Sequence, residues 1–226
     1  MRTVVLVSAD GEWNVLTSLL PVATVLDSPL GAYFDQSIGG RPVRFFHGGW
    51  GRVSAAATTQ YVIDQFHPDV LINLGTCGGF EGRIEQGTII LVERTIIYDI
   101  VEQMTDGAEA IDHYSTDLDL QWLPKMLPSP VSRGLLISGD RDIVAKDIPH
   151  LIEKYNAVAA DWESGAIAWV ADRNHQRVLI LRGVSDLVGR SGGEAYGDYE
   201  LFLSRTREIL TALLDVLPAW LSAIDS

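Results

Sequence analysis

The segment Val178–Val184, VLILRGV, is apolar apart from Arg182 and lacks the polar/apolar alternation of a strand with one wet face. Strands of this kind are buried on both sides, so the chain must place helices above and below a sheet. Comparable runs occur in TVVLVSA (3–9), DVLINL (69–74), TIILVERTII (88–97) and GLLIS (134–138), with helix-like stretches interleaved. Alternation of strands and helices predicts an α/β fold, a three-layer α/β/α sandwich around a mostly parallel or mixed twisted sheet. With no repeat, low-complexity tract or linker, residues 1–226 are expected to form a single domain.

Between these strands the spacing predicts a helix over GEWNVLTSLL, with Trp13, Leu16, Leu19 and Leu20 on one face. Tyr33–Ile38 and Pro42–His47, joined through Gly39-Gly40, predict a hairpin. GGWGRVSAAATTQYVIDQF predicts a helix with Val53, Ala57 and Tyr61 on one seam, stopped by Pro68. Residues 98–130 are expected to be loop with a short helix, and Asp147–Tyr155 a helix. GRSGGEAYGD (189–198) is either a lid or a plain connector. A final helix carries an apolar stripe from Tyr199 through Leu217 and is expected to end at Pro218.

Three carboxylates fall at the ends of strands, where the chain passes into its next element: Glu12, Glu163 and Asp186. Ligands of α/β sheets bind at the carboxyl ends of strands, which makes these three candidates for one site. A carboxylate before a helix also serves as an ordinary cap, and Ser185-Asp186 is ordinary loop chemistry, so position alone does not choose between the two. The stretch GTCGGF (75–80) is expected to form a glycine-rich turn after its strand, but it carries neither a dinucleotide fingerprint nor a P-loop lysine.

Charge narrows the partners. Thirty acidic against 17 basic side chains give a net charge of −13, which argues against nucleic acid and anionic membrane surfaces. The first strand is too short to be a signal-peptide core or a membrane span. A lone cysteine, Cys77, forms no internal disulfide, and the five histidines have no zinc spacing. A reducing, cytoplasmic setting is therefore expected, with no metal and no cofactor. Cys77 is expected to be a buried structural thiol rather than a nucleophile.

The motifs then fall into register with a known family. Glu12 after strand one, GWGRVSAAA (49–57), INLGTCGGF (72–80), GLLISGD (134–140), ADWESGAIA (160–168) and LRGVSD (181–186) occur in the order and spacing of the nucleoside phosphorylase and nucleosidase superfamily. The chain most resembles its methylthioadenosine/S-adenosylhomocysteine nucleosidase branch. That resemblance implies cleavage of a purine–ribose N-glycosidic bond in a small-molecule nucleoside. It implies that Glu12 holds and deprotonates water, helped by Thr76 and Arg182, and that Glu163 binds the ribose hydroxyls. Asp186, oriented by Ser185, would hold and protonate adenine, with Gly78 beside the substrate. A homodimer is implied as well.

Glycoside cleavage needs an acid for the leaving group, a base for water and a carboxylate beside the developing cation, and three carboxylates supply these roles. The related phosphorylases use arginine where this chain has Asn73 and SADGEW, which favours water over phosphate as nucleophile. The resemblance also leaves open a purine nucleoside phosphorylase, a futalosine hydrolase acting on an oxo-purine, and a non-catalytic nucleoside binder. Trp50, Trp162 and Asp142 depart from the nucleosidase pattern, the tryptophans toward the 5′ pocket and Asp142 where an apolar residue usually packs on adenine. Arg141 and Asp142 are expected to pair with each other or with solvent.

Overall fold

A computed structural model describes residues 1–225. In chain order its elements are β1 (Thr3–Val7), α1 (Asp10–Leu19), β2 (Leu26–Ser28), β3 (Gly31–Ile38), β4 (Arg41–His47), α2 (Gly51–Phe66), β5 (Val70–Phe80) and β6 (Ile89–Ile97). Then come α3 (Gly107–His113), β7 (Ser115–Asp117), β8 (Ser132–Ser138), α4 (Ile148–Tyr155), β9 (Ala159–Asp161), α5 (Ser164–Arg173), β10 (Val178–Gly189), β11 (Gly192–Gly193) and α6 (Tyr199–Ile224).

One mixed sheet runs β11-β10-β6-β8-β9-β5-β1-β4-β3-β2, with β7 on β6 and a further pairing of β10 with β5. That extra pairing closes β5, β9, β8, β6 and β10 into a ring, so this half of the sheet curls while β1 to β4 extend as a wing. Helices α1 and α6 cover one face, burying Trp13, Leu16, Leu210 and Trp220. Helices α2 and α5 cover the other, where Ala55, Val62, Ala166 and Ile167 meet Leu71 and Ile180. The runs read as strands buried on both faces are so: the first seven residues of β10 and the first eight of β5 are buried throughout.

Three local expectations are corrected. GTCGGF does not turn: β5 continues to Phe80, pairing Gly78 and Gly79 with β9 and with β10. Its glycines make room for neighbouring side chains, since a Cβ on Gly75 would lie 2.1 Å from Arg182 Nη1 and one on Gly79 would lie 2.6 Å from Val184. In α2, Val53 is 83% exposed, and the buried face is instead Ala55, Thr58, Thr59 and Val62. Small residues win there because they let α2 approach α5, and Thr59 Oγ1 satisfies itself on the Ala55 carbonyl at 2.7 Å. Pro218 does not end the last helix, which continues to Ile224, because burying Trp220 and Leu221 outweighs one lost backbone hydrogen bond.

Candidate active site

The pairing registers explain why one place collects the carboxylates. Strands β1, β5 and β10 run parallel, so Thr76 on β5 lies level with Gly183 on β10. β9 runs antiparallel to β5, pairing Ala160 with Gly78, and so brings its last residue, Asp161, back toward Thr76. Glu12 enters from the first turn of α1, which follows β1. The bulge between Val184 and Asp186 displaces β10 where Ser185 and Asp186 face the same space. The result is a cavity of about 670 Å³ lined by Glu12, Thr76, Gly78, Glu163, Ser185 and Asp186, among others.

Glu12 is 3% exposed, and its Oε1 accepts from Thr76 N at 2.5 Å and Thr76 Oγ1 at 2.8 Å. Its Oε2 has no partner among the described residues. A buried carboxylate oxygen with a free lone pair, on a side chain that lines the cavity, is an acceptor still to be satisfied. Glu163 stands at the N-cap of α5 yet makes no side-chain cap hydrogen bond. It reaches across to Gly51 N at 3.1 Å, so the capping explanation for this residue fails. Burial, opposed by Arg182 and joined by the carboxylates of Asp161 and Glu12, raises Glu163 to about 8.

Asp186 accepts from Ser185 Oγ at 2.8 Å, and the Ala195 backbone amide favours its anion. Burial pushes its carboxyl upward, with Glu194 adding to the effect, while Ser185, Ala195 and Arg205 pull the other way. Two carboxyls whose environments favour the protonated form thus share a cavity with Glu12. Separated environments of this kind are how one site provides acid and base together.

Arg182 corrects the sequence expectation. It is fully buried and does not line the cavity; it lies behind the carboxylates and touches no space open to substrate. Its Nη1 is 3.7 Å from Glu12 Oε1, and its Nη2 is 3.7 Å from Glu163 and 3.0 Å from Asp161 Oδ2. The last contact lies off the line of the N–H bonds, so it is ionic rather than a directed hydrogen bond. Arg182 Nε donates to Ser164 Oγ at 2.9 Å and Nη1 to the Thr76 carbonyl at 3.3 Å. Burial opposes the guanidinium charge, but the three surrounding carboxylates outweigh it and raise its pKa.

Trp50 and Trp162 stack at 5.3 Å with an interplanar angle of 29°, forming one aromatic wall of the cavity, and Trp50 remains 65% exposed. Arg141 does not pair with Asp142; it reaches Asp147 at 3.7 Å, while Asp142 lines the cavity. The apolar contact beside Gly78 comes from Ile143 and Val188, whose methyls would lie 3.1 and 3.3 Å from a Cβ on Gly78. Cys77 is buried, its Sγ donates to the Gly183 carbonyl at 3.6 Å, and burial pushes the thiol far up, away from nucleophilic character.

Asp161 belongs to the site's framework although only its place in the ADWE motif, one residue before Trp162, hints at it. It is buried and accepts from Ser138 Oγ at 2.6 Å and from Ser164 N and Oγ, so it fixes the turn that carries Glu163. Ile143, Ala195, Tyr196 and Phe202 also line the cavity, and no local motif announces them.

A family model described as the phosphorylase superfamily matches residues 4–217. The chain belongs to the phosphorylase superfamily. Among its relatives, the 5′-methylthioadenosine/S-adenosylhomocysteine nucleosidase of Thermotoga maritima is 29% identical over 188 residues, covering 82% of this chain and 84% of that protein. The nucleosidase of the same name from Halalkalibacterium halodurans is 26% identical, covering 74% and 77%. The superfamily fold is shared with solved structures. The S. pneumoniae nucleosidase with a transition-state inhibitor matches at a TM-score of 0.75 and 21% identity over all of both chains. S-adenosylhomocysteine nucleosidase from Streptococcus pyogenes matches at 0.77 and 17% over 96% of each.

Proposed function

We propose that the protein hydrolyses the N-glycosidic bond of an adenine nucleoside such as 5′-methylthioadenosine, S-adenosylhomocysteine or 5′-deoxyadenosine, releasing adenine and a ribose derivative. The observation that carries this is Glu12, held by two hydrogen bonds on Oε1 with Oε2 unpartnered, in one cavity with Asp186, whose carboxyl is pushed toward the protonated form. The relatives bearing nucleosidase names support the same reading.

In this mechanism the bond from the sugar C1′ to the purine nitrogen breaks with its electron pair leaving on the base. Asp186 gives its proton to the purine, which departs neutral, and Ser185 orients the carboxyl. Glu12 Oε2 takes a proton from water as the water oxygen bonds to C1′, while Thr76 fixes the other oxygen. Glu163 hydrogen-bonds the ribose hydroxyls, and the Trp50–Trp162 wall bounds the 5′ group. Arg182 offsets the charge of the carboxylates from behind rather than touching substrate.

Water rather than phosphate is the nucleophile on electrostatic grounds. Asn73 is fully buried and engaged with the Leu6 carbonyl at 3.1 Å and with Ser164 Oγ at 3.2 Å, away from the cavity. Among the described residues the cavity lining contains one basic side chain, Arg141, which is paired with Asp147. A phosphate dianion beside Glu12 would meet repulsion with no bidentate partner. The same reading has the enzyme acting as a cytoplasmic homodimer, for which the exposed Val53, Val101 and Met104 offer apolar surface. Adenine release is measured by chromatography from methylthioadenosine, S-adenosylhomocysteine, 5′-deoxyadenosine, adenosine, inosine and futalosine, each with and without phosphate. Release without phosphate is expected; release only with phosphate, or none from any adenine nucleoside, overturns the proposal.

A further inference from the structure

The segment after β10 makes contacts that a plain connector does not need. Val188 and Gly189 pair with Gly193 and Gly192 in a tight hairpin, with Gly192 at φ +101. The hairpin is held to the strand again by Glu194 N donating to the Leu187 carbonyl at 3.1 Å, and by Leu187 N donating to Glu194 Oε2 at 3.2 Å. Beyond it, Tyr196 leaves its own element. Its Oη accepts from Ile143 N at 2.9 Å and donates to Ile143 O at 3.1 Å. The ring lies on Gly193, where a Cβ would come within 2.6 Å of it. One phenol thus ties the loop at 190–198 to the loop at 139–144, and both loops line the cavity.

Each end of this strut touches a working part of the site. On one side Ile143 packs over Gly78 with Val188, forming the apolar contact beside the base position. On the other, the residue before Tyr196 is Ala195, which lines the cavity with Asp186 and whose backbone amide favours the Asp186 anion. We infer that Tyr196 is a positioning residue that clamps these two loops across the purine end of the cavity and thereby holds the Ala195 backbone in place beside Asp186. The clamp requires a neutral phenol, because Oη both donates and accepts. Burial and the nearby Asp142 carboxylate raise Tyr196 to about 12, so it stays protonated throughout the working pH range.

The groups around Asp186 give the expected sign. Ser185, Ala195 and Arg205 favour its anion, whereas burial and Glu194 disfavour it. Removing the clamp loosens the Ala195 amide, an anion-stabilising partner, so the Asp186 pKa rises further. An acid that must be protonated then works to higher pH, and the alkaline limb of kcat/KM moves upward. Misplacing the loop lowers kcat on the order of tenfold, below the loss expected for a chemical group itself.

The test compares Tyr196→Phe, which keeps the ring and removes both hydrogen bonds, with Gly193→Ala, whose methyl displaces the ring while leaving the phenol intact. Both are expected to unfold near the wild-type Tm, to lose kcat, and to shift the alkaline limb upward. Unchanged kcat and an unchanged pH profile in Tyr196→Phe overturn the inference. Because the kinetic arm rests on the hydrolase reading, amide hydrogen exchange on the full chain supplies a readout without substrate. Faster exchange at the Ile143 amide, whose acceptor is the phenol, in both variants supports the clamp, and wild-type rates there overturn it, whatever reaction the protein catalyses.

Discussion

Replacing Glu12 by glutamine separates charge from shape at the centre of the site. Glutamine has the same length, and its Oε1 can accept both Thr76 donors, now at 2.5 and 2.8 Å. Its amide nitrogen would stand where the unpartnered Oε2 stands, so the water site keeps its outline and loses its base. The Thr76 anchor and the Arg182 contacts to Asp161 and Glu163 persist, so the fold is expected to stay intact. General base assistance is worth about 10² to 10⁴ in rate, or roughly 3 to 5.5 kcal/mol of barrier, and kcat for adenine release should fall within that range. One consequence can be read without turnover. The Glu12 charge is among the causes that hold Glu163 at about 8, so Glu12→Gln should lower the Glu163 pKa, which carboxyl-labelled NMR would detect. A kcat loss below tenfold in a folded variant refutes the assignment of Glu12 as base, and an unmoved Glu163 titration refutes the electrostatic account of the cluster.

Asp186→Asn removes the proton donor while keeping the Ser185 contact possible, and kcat should fall by about 10² to 10⁴; a loss under tenfold sinks its role as acid. Gly75→Ala places a methyl 2.1 Å from Arg182 Nη1 and 2.8 Å from both Glu12 oxygens, so thermal melts should show a loss of about 1 to 3 kcal/mol together with loss of activity. Wild-type activity there would mean that the Glu12–Arg182 geometry is not required. Trp50→Ile should shift preference toward larger 5′ groups, and identical relative kcat/KM values across 5′ substituents would discard that idea. Finally, Glu163 is raised from 4.5 to about 8, so its contribution to stability is fully present below about 4.5 and is lost as pH rises through about 8. Tm should decline across that window in the wild type and less in Glu163→Gln; parallel curves would contradict the shift.

The chain's own pattern determined much of this protein. Apolar runs such as VLILRGV can be satisfied only by burial on both faces, so the layered α/β arrangement follows from composition along the strand. Glu12, Thr76, Glu163, Ser185 and Asp186 are legible because each sits in a short motif in register with the family, and the structure brings all five to one cavity. Tertiary structure decided what depends on partners distant in sequence. The family resemblance makes Arg182 a helper at the water, yet three carboxylates from two segments distant in sequence enclose it. GTCGGF reads as a turn because glycine propensity is local, whereas the space those glycines clear belongs to Arg182, Val184 and Ile143. Tyr196 and Ile143 lie 53 residues apart, and only the closing of two loops over one strand end makes them neighbours. A residue's own burial pattern is written in its neighbours along the chain, but its electrostatic environment is assembled by folding, and in this site the chemistry resides there.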